Sequence, residues 1–280
     1  MRDRLVFLVR AYGKLGFGLF LVLCMMLTAL LAPLLAPYSP NAMHLDHILE
    51  APSQQFWLGT DRLGRDVFSR LLFGGRISLW VGFVAVGISI SIGTILGLIS
   101  GYFRGLVDEL IMRFVDVMLC FPSFFLILAV IAFWEPDVHN IMLVIGLTSW
   151  MGVTRLVRAE TLSLRERDFV AQAKLAGSST CYILVRHILA NALAPVLISA
   201  TLGVAGAILI ESSLSFLGLG VQPPTASWGN MLMDGKTVIS IAPWLSLYPG
   251  GAILLTVLGY NVLGESLRDM FDPRLQQRFF

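Results

Sequence analysis

Charged residues are scarce in this 280-residue chain, so each one that interrupts apolar sequence is a candidate for chemistry. Glu211 stands deep in an apolar stretch, where an unpaired carboxylate is costly. It is expected to line a wet cavity, to join neighbouring helices through a polar contact, or to sit neutral. Asp116 follows Arg113 by three residues, a spacing that lets an ion pair form on one helical face. Such a pair would anchor a helix end rather than carry protons. His44, Asp46, His47 and Glu50 offer ligand types that a transition metal accepts, but solvent-facing histidines need no ligand, and no metal is expected. Gly229 through Lys236 and Thr237 resembles a phosphate loop, yet five residues part its glycines where the motif has four. No nucleotide site is expected there.

The largest polar feature runs from Arg155 to Arg186, between long apolar segments. It holds six basic residues (Arg155, Arg158, Arg165, Arg167, Lys174, Arg186) against three acids, Glu160, Glu166 and Asp168. Within it Phe169, Val170, Ala173 and Leu175 lead to Gly177, a pattern for a short amphipathic helix ending in a turn. One such island in an apolar chain is expected to touch something soluble.

The elements that position these residues are apolar helices. A hydrophobic content of 56%, with 14% charged residues, lies outside soluble norms, as does a mean hydropathy of +0.79. Apolar runs long enough to cross a hydrocarbon core of about 30 Å fall at 16–36, 77–101, 117–134, 141–157, 192–217 and 246–264. The first is read as an uncleaved helix, since its apolar stretch exceeds a signal peptide's and a Pro-rich exit (Pro33, Pro37, Pro40) follows it. Pro122 removes a backbone donor and loosens the third helix. Gly93, Gly97 and Gly101, with Ser89 one turn earlier, form a small-residue row, expected to pack within the subunit; contact with a second subunit is the alternative. Cys24, Cys120 and Cys181 carry no redox signal and are expected as packing residues. With both termini cytoplasmic, fifteen of the twenty Lys and Arg residues lie inside and five outside, as the positive-inside rule favours. No basic cluster suggests nucleic acid.

Three phrases resemble one family. Ala171-Gln172-Ala173, Gly177, and His187-Ile188-Leu189-Ala190 nine residues on align with the EAA loop of ABC-importer permeases. Ala171 replaces its Glu, Gln172 its first Ala, His187 its Ile and Ala190 its Pro. Phe56-Trp57-Leu58-Gly59-Thr60-Asp61, with Gly64-Arg65-Asp66, Ser69-Arg70 and Gly75-Arg76-Ile77-Ser78-Leu79, is similar to the dipeptide, oligopeptide and nickel branch. So are the stretch from Glu211 to Pro224, Trp228-Gly229, Gly264-Glu265 and Asp272-Pro273-Arg274. Phe56 to Arg76 reads as an external cap stitching the first helix to the core, with substrate contact or binding-protein docking as other roles.

The resemblance implies an all-α membrane protein of about six transmembrane helices with the type I ABC importer permease fold. Its divisions would be a cytoplasmic N-terminus and first helix (1–40), an extracytoplasmic cap (41–76), a core (77–268) with a coupling loop at 155–190, and a cytoplasmic tail (269–280). It implies a bacterial inner-membrane subunit without catalysis of its own, and partners in a second related permease, two cytoplasmic ATPase domains, a solute-binding protein and membrane lipid. ATP and Mg would sit on partner subunits, and this chain would bind no cofactor. Asp168, Phe169, Val170, Ala171, Gln172, Ala173, Lys174, Gly177, Ser178, Ser179 and Thr180 would couple to the ATPases. Glu211 and Ser215 would serve structure, the pore or gating. The cargo would be di- or oligopeptides, with nickel or another small solute as the alternative. A secondary transporter coupling through Glu211 and Asp116 is the reading from another class; it lacks paired broken helices in an inverted repeat.

Overall fold

A computed structural model describes residues 2–134 and 137–271. Helix α1 (Arg2–Leu30) leads through α2 (Ala32–Leu35) and a 3-10 turn (Leu45–His47) into α3 (Val67–Phe103). Then come α4 (Gly105–Leu119), α5 (Ser123–Ile131), α6 (Val138–Leu147), α7 (Met151–Arg165) and α8 (Asp168–Leu175). A short α9 (Thr180–Tyr182) and a π-helical stretch (Ile183–Leu189) run on into α10 (Ala190–Phe216), followed by α11 (Trp228–Lys236) and α12 (Trp244–Phe271). Among the described residues the one β feature is an isolated bridge between Thr60 and Asp66.

Four helices are long and apolar enough to cross a membrane, and six crossings result if each of two bent pairs is one span. All six expected spans map onto these elements, with displaced boundaries. The run at 77–101 belongs to α3, which starts at Val67 and holds 37 residues, a length of about 55 Å. The last ten residues of the cap expected over 41–76, 67–76, are therefore helical. The run at 192–217 is the second half of a continuous helix from Thr180 to Phe216, so 180–190 is helix rather than loop. The run at 117–134 is corrected most. Its helix begins at Gly105, breaks between Leu119 and Ser123, and turns by 82°. Pro122 caps α5 there, so it ends one helix and starts another. Asp272, Pro273, Arg274 and most of the expected tail lie outside the described residues.

Local chemistry explains the joints. Asp66 caps α3, accepting from the Ser69 amide at 2.8 Å and its hydroxyl at 2.6 Å. The α3–α4 turn puts Arg104 (φ 56°) and Gly105 (φ 58°) in left-handed space. Between α6 and α7 the axis bends by 40°. Helices α1 and α12 run antiparallel, with Gly18 against Leu263 and Leu21 against Gly259.

The glycine row packs within the subunit, as expected. A Cβ at Gly93, Gly97 or Gly101 would come within 2.5, 2.7 or 2.6 Å of the Cβ of Val153, Val157 or Thr161 on α7. The constant offset makes α3 and α7 parallel neighbours. Cys120 and Cys181, expected in packing, are exposed, and Cys24 is half-buried.

Candidate functional sites at the two ends and the centre of the bundle

The polar island is not a free loop. Its first third is the end of α7, tied down residue by residue. Arg158 holds Asp108 of α4 with two bonds of 2.6 Å, a bidentate geometry that fixes orientation. Arg155 reaches Asp116 at 2.5 Å, and Arg165 donates to the Tyr102 carbonyl at the end of α3. Glu166 meets Arg104 at 2.8 Å. The expected Arg113–Asp116 pair is corrected here: Arg113 lies 3.6 Å from Glu109, one turn back, and Asp116 is taken by Arg155 from across the bundle.

Helix α8 rides on this base. Val170 and Ala173 are buried among Leu98, Val153, Val157, Ile183 and Ile188. Asp168, Phe169, Ala171, Gln172 and Lys174 face outward, and Leu175 is 89% exposed. The Lys174 ammonium stands 5.3 Å from the centre of the Tyr102 ring, a cation–π distance. The helix stops in a Schellman turn: the Ser178 amide bonds the Ala173 carbonyl at 3.0 Å, and the Gly177 amide that of Lys174 at 3.0 Å. Gly177 takes φ +77°, and a Cβ there would meet nothing within 4 Å. The glycine serves the turn, not close packing. Ser179 then caps the next helix by accepting from the Tyr182 amide at 3.3 Å, and Thr180 opens that helix, exposed like Ser179.

At the opposite end the cap is a small folded unit. Phe56 is fully buried, its ring 5.3 Å from those of Tyr38, His44 and His47. Gly59 (φ +79°) and Gly64 (φ +69°) are required both for their backbone angles and because a Cβ would strike the carbonyls of Glu50 and His44. Asp61 gathers the Arg65 amide at 2.9 Å, the Arg65 side chain at 2.6 Å and Arg70 at 3.5 Å. Arg65 extends 3.3 Å to Asp234 on α11. Burial pushes the Asp234 carboxyl up, and Arg70 and Arg65 pull it back. Arg62 bonds Thr237 at 2.9 Å, and the Trp244 indole bonds the Thr60 carbonyl at 3.4 Å. These contacts tie the segment to α11 and to the start of α12. His47 lies 2.5 Å from Glu50, and among the described residues no three His, Cys, Asp or Glu side chains gather as a metal site.

The stretch from Gly229 to Lys236 is helical, with Thr237 as its C-cap, not a phosphate loop. Ser227 and Asn230 form a reciprocal capping box that opens α11. Gly229 is pressed on α10, where a Cβ would fall 2.6 Å from Ser215 Cβ. Sequence reading missed this nine-residue helix, although the Ser-x-x-Asn spacing after Pro223-Pro224 was its signal.

Between the ends lies Glu211, with 0% exposure. Ser78 of α3 donates to it at 2.9 Å and Ser215 at 2.7 Å, while Ser212 lies 3.4 Å away. The Val221 amide bonds the Ser215 hydroxyl at 3.0 Å, and the Trp228 amide reaches Ser78 at 3.3 Å. The carboxylate thus ties α3, α10 and the segment leading into α11. The polar contact between helices, one of its expected settings, is present. Glu211→Ala should strand those hydroxyls and leave a void, costing on the order of 3 kcal/mol. Thermal unfolding in detergent should drop by several degrees, and by much less for Glu211→Gln. An unchanged midpoint in the alanine variant would remove the role.

Three cavities among the described residues differ in kind. A cleft of about 910 Å³ between α1 and α3 is lined by Leu23, Leu27, Phe73 and Trp80, with Arg76 on its wall. Another of about 370 Å³ separates α1, α3 and α12. The third, about 260 Å³, lies among α3, the α6–α7 junction and α10.

Known proteins place this architecture. The family described as binding-protein-dependent transport system inner membrane component matches residues 93–277. The N-terminal TM domain of oligopeptide transport permease C matches 16–52. The dipeptide transport system permease protein DppC of Alkalihalophilus pseudofirmus is 44% identical, over 92% of this chain and 85% of its own. The di/tripeptide transport system permease protein DppC of Pseudomonas aeruginosa is 42% identical, over 94% and 89%. The glutathione transport system permease protein GsiD of Pectobacterium atrosepticum is 40% identical, over 96% and 89%. A crystal structure of an amino acid ABC transporter with histidines shares the fold at a TM-score of 0.50 and 14% identity, covering 75% of this chain and 94% of that one. With its all-helical spans and type I permease fold, the chain belongs to the family of inner-membrane permease components of binding-protein-dependent transport systems.

Proposed function

We propose that this chain forms part of the transmembrane path of an ATP-driven importer of di- and oligopeptides, with α8 as the element that receives force from an ATPase. The observation that carries the coupling role is the two-sided build of α8. Val170 and Ala173 seat it on the bundle, while Phe169 and the 89%-exposed Leu175 remain uncovered. An apolar residue so exposed on a polar surface suits a partner groove. Pinned through Arg155, Arg158 and Arg165, the α7 stem would pass a push on α8 to α3 and α4, and helix rocking would alternate access.

The remaining parts of the complex follow from this reading. A second related permease completes the path, two cytoplasmic ATPase domains hold ATP and Mg, and an extracytoplasmic solute-binding protein delivers cargo. The chain itself binds no cofactor. Both termini lie in the cytoplasm with α8, on the side that carries fifteen of the twenty Lys and Arg residues. Peptide cargo is favoured over nickel by the names of the relatives, which describe dipeptide, di/tripeptide and glutathione transport. Ion coupling through Glu211 and Asp116 is disfavoured, because serines hold the first and Arg155 the second.

The test is uptake by proteoliposomes holding the complete complex. Labelled dipeptide should enter only with ATP on the ATPase side, and an uncoupler should have no effect. A cysteine at Ser178 should react with an impermeant thiol reagent only from the ATPase side, and one at Gln54 only from the other. ATP-independent uptake sinks the transport reading; reversed labelling sinks the orientation and the coupling role together.

A further inference from the structure

Hydroxyls on these helices mostly close on their own backbone. Ser91, Thr148, Thr154, Thr201 and Ser213 each donate to the carbonyl four residues back, at 2.7 to 3.2 Å. Ser89, Ser149 and Ser199 make no side-chain hydrogen bond with any described residue. They come from three separate places, α3, the α6–α7 bend and α10, yet all three line the same 260 Å³ pocket. Ser89 is only 5% exposed. The unbonded hydroxyls of Thr94, Thr161 and Tyr260 are sealed in packing instead.

The position of the pocket adds to the case. Ser89 and Ser199 each lie near the middle of a 37-residue helix, Val67–Phe103 and Thr180–Phe216. At that depth an unbonded hydroxyl facing hydrocarbon forfeits its hydrogen bonds. Gly152, Gly203 and Gly206 keep the pocket open, Ile145, Val153 and Ile210 supply apolar wall, and no charged side chain lines it.

We propose that the Ser89–Ser149–Ser199 pocket is this chain's half of a station for a peptide in transit, its hydroxyls bonding main-chain amides. A hydroxyl both donates and accepts, so it serves an amide N–H or C=O whatever the side chain. The apolar walls take a neutral side chain, and the charged termini of the peptide are held elsewhere. Its volume is below that of a complete ligand site, so the pocket holds about one residue and the second permease closes the other side. The proposal rests on the peptide-importer reading and adds the residues of contact.

The experiment uses the complete complex in proteoliposomes, with Cys24, Cys120 and Cys181 replaced by alanine. Ser149→Cys and Ser199→Cys are each treated with a charged, impermeant methanethiosulfonate and, separately, with a lipid-soluble maleimide. The charged reagent should modify both cysteines and stop dialanine uptake, and saturating dialanine should slow the modification several-fold. Ser89→Ala should raise the KM for dialanine about fivefold, the loss of one hydrogen bond, with chain abundance unchanged. Reaction with maleimide alone would place the pocket against lipid, and no reaction with either would place it inside a protein interface. Reaction without protection by dialanine would leave a wet pocket that holds no peptide. Each of these three overturns the station, whereas failure of the unsubstituted complex to import dialanine would overturn the peptide reading itself.

Discussion

Gly177→Asp should abolish ATP-driven uptake while the chain remains in the membrane at near-normal abundance. Gly177 holds φ +77° in the turn after α8, and a Cβ there would touch nothing within 4 Å. The backbone penalty for an L-residue in left-handed space is about 1–2 kcal/mol, and Asn and Asp bear it best. That is too small to unseat a helix anchored by Val170, Ala173, Ile183 and Ile188. The new carboxylate instead lies two residues past Leu175, in the turn assigned to the ATPase groove. A charge desolvated there without a partner costs several kcal/mol, enough to undock a partner held by a short helix.

Two further variants separate charge from conformation. Gly177→Asn tolerates the turn and adds no charge, so uptake should be largely kept. Gly177→Val is β-branched and resists positive φ, so the Schellman bonds from Ser178 and Gly177 should open and uptake should fall. ATPase stimulation by loaded binding protein should follow uptake in all three. Near-normal uptake by Gly177→Asp would show that the turn faces only solvent and would refute the coupling role.

The contrast between Gly177 and Gly97 shows what the sequence made legible. Both stood out from spacing alone, one at the end of an amphipathic octet and one in a four-residue row. Their physical demands differ, and only the fold separates a positive φ from a helix contact. The apolar runs located every span, because burying about twenty apolar residues leaves an unmistakable composition. Their ends were misplaced wherever polar residues continue the helix. Arg158 and Arg165 read as loop, yet they satisfy themselves on Asp108 and the Tyr102 carbonyl, contacts that span 50 and 63 residues of chain. Local spacing suggested Arg113 for Asp116, and a better-aimed arginine 39 residues away won. Glu211 was identifiable by its cost, but its partner Ser78, 133 residues distant, was not. Pro122 announced a disturbance without its size, since a proline allows both a slight kink and the 82° turn observed.

Gly97→Leu should deplete the chain from the membrane and leave the remainder protease-sensitive. A Cβ at Gly97 would lie 2.7 Å from Val157 Cβ, 2.8 Å from the Thr154 carbonyl oxygen and 3.0 Å from the Arg158 amide nitrogen. Two of these atoms are backbone and the third is fixed to it, so no rotamer change makes room. Helices α3 and α7 must separate, and overpacking of this kind typically costs 1–3 kcal/mol even where side chains can yield. Separation would also pull Arg158 from Asp108 and Arg165 from Tyr102, releasing the base on which α8 sits. Gly97→Ala should show the same defect in weaker form. Gly87→Leu, on the same helix, supplies the control: that glycine is exposed and a Cβ there meets nothing within 4 Å. Its abundance should match the unsubstituted chain, because the leucine adds apolar surface where lipid or a partner can accept it. If Gly97→Leu accumulates and resists protease like Gly87→Leu, the α3–α7 contact is not what holds this end of the bundle together.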